Sequence, residues 1–244
     1  MFEQHAIRFG PEDRLSGVLT VPENGLDSKS PLAILPNAGS VHRVGPFRIG
    51  VQIANALASC VNAASLRMDL SGLGDSRAIA KPSSSPGEPN TPRGVFDLSA
   101  AMDHLRDRYE INQFVPIGLC SGALHTHLMA ERSDQVVGAV MIDGIAFRTT
   151  GFYLRHYLFR MLFPSFWYGA IQRRRLDALP PSNPETNPAE FFYSESIGRE
   201  TASQQIRQMK RDGKRLMFVF TGGCDDVNSA AQFRSMFGVS PDQR

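Results

Sequence analysis

The sequence predicts an α/β fold, with a mostly parallel central sheet and helices on both faces. Three observations carry that expectation. Short apolar runs recur at 32–35, 64–68, 114–117, 136–142 and 216–220, lengths that suit buried strands. Between several of them lie segments whose apolar residues fall three and four apart, the helical period. The loops that leave the runs are rich in Gly, Ala, Ser and Asn, which let a chain turn tightly over a sheet end.

The 244 residues are enough for one large domain, and 42% hydrophobic with 20% charged residues is ordinary for a globular protein. The net charge is +2, and the longest run of one sign is Arg173-Arg174-Arg175, so nothing calls for a nucleic-acid partner. Cys60, Cys120 and Cys224 are odd in number and lack metal-like spacing. That points to a reducing compartment, with no disulfide framework and no metal site. Residues 1–15 carry scattered charges and no apolar leader, and no run approaches the ~20 apolar residues of a membrane span. The cytoplasm is the expected location.

Residues 2–9 and 14–21 read as an opening hairpin, turned by Gly10-Pro11-Glu12-Asp13. Leu32-Ala33-Ile34-Leu35 is a buried strand, and Pro36-Asn37-Ala38-Gly39-Ser40 is a small-residue loop after it. His42 and Arg43 follow in that loop. His42 and Asn37 are candidates to line a cleft. Ile49, Ile53, Ala56, Leu57 and Cys60 predict a helix over 47–60 with that stripe, Cys60 included, facing the core. The strand 64–68 leads into Asp69-Leu70-Ser71-Gly72-Leu73-Gly74-Asp75-Ser76. Gly72-x-Gly74 lacks a third glycine at dinucleotide-fingerprint spacing, so no such cofactor is expected. Asp69 and Asp75 read as structural, bonding turn amides.

Residues 81–94 are Pro- and Ser-rich and predict a surface loop. Val95, Leu98, Met102, Leu105 and Tyr109 predict an amphipathic helix, with His104 off its stripe and solvated. Between 147 and 200 the strand–helix rhythm breaks. Aromatics gather there, Phe152, Tyr153, Tyr157, Phe159, Phe163, Phe166, Trp167 and Tyr168 among them. This reads as a helical lid over an apolar pocket, and its interleaved arginines also permit contact with a membrane surface. A polar helix with Ile206 and Met209 inward stops at Gly213. The last strong strand, 216–220, is followed by Thr221-Gly222-Gly223-Cys224-Asp225-Asp226, and 230–237 predict a short helix.

The stretch with the most chemical content is Val115-Pro116-Ile117-Gly118-Leu119-Cys120-Ser121-Gly122-Ala123. It reads as a strand, a tight turn and a helix start, with Gly118 and Gly122 two positions either side of Cys120. Small neighbours let the chain fold back on itself. The apex side chain then projects above the sheet, where the helix N-terminus aims its N–H groups. The bland alternative is an ordinary strand–helix junction holding a buried cysteine.

This spacing resembles the nucleophile elbow of the α/β-hydrolase family, with cysteine where most members have serine, as in the dienelactone hydrolase branch. A Gly-x-Ser-x-Gly frame centred on Ser121 would need glycine at 119, where Leu119 stands. Asp69 to Ser76 resembles the Asp-x-x-Gly-x-Gly-x-Ser segment of the same family, and the strand–loop pattern is shared with serine aminopeptidase-like members. The resemblance covers about residues 1–238 and implies a core over 1–146, a lid over 147–200 and a second core part over 201–244. It implies Cys120 as nucleophile, and Ala38 or Gly39 with Ser121 as oxyanion-hole donors. It implies Asp225 as the acid, with Asp226 second and Asp143 a third option. The implied activity is acyl transfer to water from an ester, thioester or lactone, as in esterases and thioesterases, with no cofactor.

The family places its catalytic histidine on a loop after one further strand. The six histidines here are His5, His42, His104, His125, His127 and His156, and none follows the acidic turn. The expectation is a C-terminally incomplete hydrolase whose final strand is missing. The alternatives are an inactive homologue that binds an acyl ligand or a partner protein, or a base supplied by His42.

Overall fold

The computed structural model describes residues 1–78, 93–157, 197–221, 226–227 and 229–239, without the side chains of 156 and 157. The chain divides into two compact units. One comprises Met1–Ile145 with Gln205–Thr221, the other Ala146–Gln204 with Gly222–Arg244.

The first unit holds a seven-stranded sheet. Its strands are β1 (Phe2–Phe9), β2 (Leu15–Pro22), β3 (Leu32–Pro36), β4 (Ser65–Asp69), β5 (Phe114–Leu119), β6 (Gly138–Ile142) and β7 (Arg215–Val219). The spatial order is β1-β2-β4-β3-β5-β6-β7. β1 pairs antiparallel with β2, and β2 antiparallel with β4. The remaining pairings are parallel. The apolar runs are therefore the parallel strands and the opening hairpin is the antiparallel edge, as the patterning predicts. The crossovers are α1 (Ile49–Cys60), α2 (Arg93–Tyr109) and α3 (Ser121–Arg132). From β3 the chain steps to one side to make β4, then returns to place β5 on the other side of β3. The loops after β3 and β5 consequently leave the sheet side by side at its carboxyl rim. In open α/β sheets that switch point is where ligands bind.

The two faces of the β5–β7 half are covered unequally. On the α3 side Phe114, Ala139 and Met141 are buried. On the α1 side Val115, Ile117, Leu119, Val140 and Ile142 are half-buried, and Met217 is exposed. α1 departs from its predicted orientation in the same way. Ala54 and Ala58 are its buried residues, Ile49, Ile53 and Leu57 are half-buried, and Ala56 and Cys60 are exposed. The large apolar stripe flanks the sheet, while the alanines let the helix approach it closely. Cys60 is the helix's last residue, so the predicted core role fails for it.

His104 also departs from expectation. It is half-buried, its ring 5.6 Å from that of Phe9. Asp97 on α2 is 1% exposed and ties three elements together. It accepts from Arg14 Nη2 at 3.1 Å and from Ser71 N–H and Oγ–H at 2.7 Å each.

Helix α5 (Arg199–Arg211) enters the first unit with Ile206 and Met209 buried, and Lys214 after it donates to the carbonyls of Ala130 and Ser133 at the end of α3. In the second unit lie α4 (Thr150–Tyr157), the first residues of α5, and α6 (Gln232–Phe237). There Gln232 donates to the Phe147 carbonyl and the Phe147 ring meets Phe237 edge-on. Most of the expected lid, most of the Pro/Ser loop and Asp225 with Cys224 lie outside the described residues. Among the described residues no helix is long and apolar enough to cross a membrane.

Candidate active site

Cys120 occupies the turn between β5 and α3 with φ 54° and ψ −118°. An L-residue held there costs roughly 1–3 kcal/mol, so the surroundings must enforce it. Two contacts do so. The Cys120 N–H donates to the Ile142 carbonyl at 2.8 Å, anchoring the turn to the end of β6. Its own carbonyl accepts from Ala123 N–H at 3.0 Å, opening α3. A Cβ on Gly118 would overlap the Gly122 carbonyl and Thr126 Oγ1, so the strand can meet the helix only without a side chain there. A Cβ on Gly122 would come within 3.0 Å of the Asn37 carbonyl oxygen. The glycine spacing read from the sequence is thus required by close backbone approach. The thiol is half-buried.

The loop after β3 lies against this turn. Gly39 N–H donates to Ser121 Oγ at 2.7 Å. Ala38 and Gly39 are half-buried, and Asn37 is 3% exposed. Asn37 Oδ1 accepts from Leu70 N–H at 3.2 Å, while Nδ2 is buried with no hydrogen-bond partner among the described residues. Two of the oxyanion candidates, Gly39 and Ser121, are therefore in contact, and in this state the Gly39 donor is held by the Ser121 hydroxyl.

Among the described acid candidates, Asp143 is the one that adjoins the Ile142 carbonyl anchoring this turn. It directly follows Ile142 and has φ 45°. Its carboxylate accepts from Thr221 N–H at 2.6 Å and from the Thr221 hydroxyl. Asp226 belongs to the second unit and is ion-paired with Arg148 at 2.7 Å.

His42 is exposed, and its Nδ1 accepts from Val44 N–H at 3.1 Å within its own loop. His127 is fully buried, with Nε2 2.9 Å from Gln205 Oε1, and the Nδ1 atoms of His125 and His127 are buried without partners among the described residues. Burial pushes both imidazoles below the ordinary histidine range, with Asp97 opposing this at His125 and Gln205 at His127. Among the described residues, none of the imidazoles of His5, His42, His104, His125 and His127 hydrogen-bonds Cys120.

The Asp69–Ser76 turn is scaffolding. Asp69 is fully buried, and its carboxylate accepts from Arg43 N–H at 2.6 Å, from the Arg43 guanidinium and from Asp75 N–H at 3.1 Å. Arg43 also pairs with Asp75 at 2.7 Å and holds that carboxyl below its usual range.

Two contributors escaped the sequence reading. Gly144 lets the loop after β6 pass over the turn, since a Cβ there would overlap that of Ala123. Asp143-Gly144 is a turn dipeptide that could have marked it. Thr221, the partner of Asp143, is 78 residues away and carries no local signal.

No protein-family profile matches the chain, and no curated protein sequence matches it. Solved structures do. The Penicillium α/β hydrolase GrgF aligns with TM-score 0.53 and 13% identity over 97% of this chain and 100% of that one. An esterase from Pyrococcus furiosus aligns with TM-score 0.51 and 16% identity over 96% and 86%. The esterase domain of a Rhodothermus marinus protein aligns with TM-score 0.50 and 17% identity over 90% and 76%. The chain has an α/β-hydrolase-like fold.

Proposed function

We propose that this protein is a hydrolase that transfers acyl groups from esters, thioesters or lactones through Cys120. The observation that carries the reading is the strained backbone of Cys120 at the sheet's switch point, with a half-buried thiol and a neighbouring loop that offers N–H groups. Cysteine at this position aligns the reading with the dienelactone hydrolase branch. Attack by the thiolate on a carbonyl would place negative charge on the carbonyl oxygen. Ser121 N–H, with Ala38 or Gly39 N–H, is the donor set for that oxygen. Use of Gly39 requires the Ser121 hydroxyl to turn away. Asp143 is the acid favoured by its position next to Ile142, whose carbonyl anchors Cys120.

Turnover also needs a proton carrier that expels the product, and the described imidazoles of His5, His42, His104, His125 and His127 are not hydrogen-bonded to the thiol. An ordinary thiol is a few per cent thiolate at neutral pH. In comparable triads, loss of the base costs on the order of 10⁶ in turnover. The alternative reading is a homologue that binds an acyl ligand without turning it over.

Incubation with p-nitrophenyl acetate and intact-mass analysis separates the two. The expected result is an acetyl adduct that maps to Cys120, slow release of further product, and no adduct at that peptide in Cys120→Ala. A protein that gains no acetyl group on Cys120 would overturn the hydrolase reading.

A further inference from the structure

Ser121 opens α3 directly after Cys120 and is half-buried at the rim of the sheet. Its hydroxyl oxygen accepts from Gly39 N–H at 2.7 Å, a bond between chain segments 82 residues apart. Gly39 has φ 53°, a left-handed conformation that glycine adopts without strain, and a Cβ there would meet nothing within 4 Å. The glycine thus serves the course of the loop, which brings this N–H across to α3.

The bond fixes the oxygen but uses half of what a hydroxyl can do, since a hydroxyl accepts and donates at once. Among the described residues nothing accepts from the Ser121 hydroxyl, and no backbone carbonyl takes the Ser121 N–H, an orphan of the helix start. The residue next to the thiol therefore carries a side-chain donor and a backbone donor, both uncommitted among the described residues. Gly39 N–H is spent. To reach a substrate oxygen it must first lose its 2.7 Å bond, and the hydroxyl must swing out of the space between. For the hydroxyl to donate, no bond breaks and only its hydrogen rotates. Accepting from Gly39 also polarises the O–H and strengthens it as a donor.

We propose that Ser121 is a catalytic residue through its side chain: Oγ–H joins the Ser121 N–H in holding the oxyanion, in the place of Gly39 N–H, and Gly39 is a positioning residue that holds Oγ. The proposal rests on the acyl-transfer reading of Cys120 and changes the donor set of that site. In the step concerned the thiol proton has gone to solvent. The thiolate sulfur bonds the carbonyl carbon, and the π pair of the carbonyl moves onto its oxygen. That charged oxygen takes both hydrogen bonds. The pair then returns to re-form the double bond, the carbon–oxygen bond to the leaving group breaks, and a p-nitrophenyl ester releases p-nitrophenolate with its acyl group left on sulfur. Donors aimed at charge that develops only during reaction lower this barrier without tightening the hold on the starting ester.

Two reagents applied to the full chain separate this role from a structural one. p-Nitrophenyl acetate acylates the sulfur through an oxyanion. Iodoacetamide alkylates the same sulfur by displacing iodide from a saturated carbon, and no oxyanion forms. Both rates are followed at the Cys120 peptide by mass spectrometry, in the native protein and in Ser121→Ala. The ratio of acetylation to alkylation is expected to fall about tenfold or more in Ser121→Ala, the worth of one hydrogen bond to a charged oxygen. Gly39 N–H, 2.7 Å behind the lost oxygen, takes over only if the substrate shifts. An unchanged ratio, including both rates falling together, would overturn the proposal and leave the oxyanion to backbone amides. A raised ratio would also overturn it, by making the hydroxyl a plug over Gly39 N–H. Failure to acetylate Cys120 in the native protein, while iodoacetamide still alkylates it, would bring down the acyl-transfer reading and this proposal with it. Acetylation of the native protein with an unmoved ratio would bring down this proposal alone.

Discussion

Two turns stand at the carboxyl rim of the same sheet and spend their polar groups in opposite ways. In the turn after β4, Asp69 is fully buried and takes hydrogen bonds from Arg43 and Asp75. Ser76 Oγ donates to the Asp69 carbonyl and accepts from Ser16 N–H. Donors and acceptors there consume one another. In the turn after β5, Cys120 is strained and half-buried, and Asn37 beside it keeps an unpartnered donor. A polar cluster that satisfies itself rigidifies the rim, whereas strain with spare hydrogen-bonding capacity is what a substrate can use. Both turns carry glycines at close spacing in sequence. Only the geometry separates the frame from the site.

The contrast can be broken most severely at Asp69. Asp69→Ala strips the buried partner from Arg43 and is expected to cost about 3–5 kcal/mol in urea unfolding. An unchanged midpoint would mean that the β4 turn is not the frame. The converse holds at the apex. Cys120→Gly should relieve roughly 1–3 kcal/mol of backbone strain, less about 0.5–1 kcal/mol for glycine's extra freedom when unfolded. A net gain near 1 kcal/mol, with the acetyl adduct gone, is the expected outcome. Destabilisation by that change would show that the β5 turn stores no strain.

Much of this was legible beforehand because it rests on local pattern. Period and run length gave β3 to β7 and α2, and the Gly118–Cys120–Gly122 spacing gave the strained turn. Strand order was not legible, since neighbours in the sheet are distant in sequence. The facing of α1 does not follow from its apolar stripe, because side-chain size as well as hydrophobicity decides which face approaches a sheet. Ala54 and Ala58 fit against the sheet, while the larger Ile49 and Ile53 stand to the side. The period of α2 by itself puts His104 in solvent, and Phe9 of another element covers it. The Asp143–Thr221 pair joins the ends of two strands and follows no period.

The smallest expected effect concerns what lies beneath the strained turn. His127 is fully buried on α3, and its bond to Gln205 Oε1 makes Nε2 the protonated nitrogen. A second proton would have to enter at Nδ1, which is buried and without a partner among the described residues. Burial therefore holds the folded pKa below the ordinary value, with the Gln205 bond opposing in part. The unfolded chain binds that proton as pH falls through about 6.5, and the folded chain does not. Stability from this group is complete above about pH 6.5 and declines below it, by at most ~1.4 kcal/mol per pH unit. His125 acts in the same direction. The β4 turn behaves differently: Arg43 holds Asp75 below the usual carboxylate range, so its contribution is lost only in more acidic solution. Urea unfolding in steps from about pH 7.5 to about pH 5 should show the decline in the native protein and a shallower one in His127→Gln. An equal slope in both would mean that the acid sensitivity arises elsewhere than under the helix that carries the thiol.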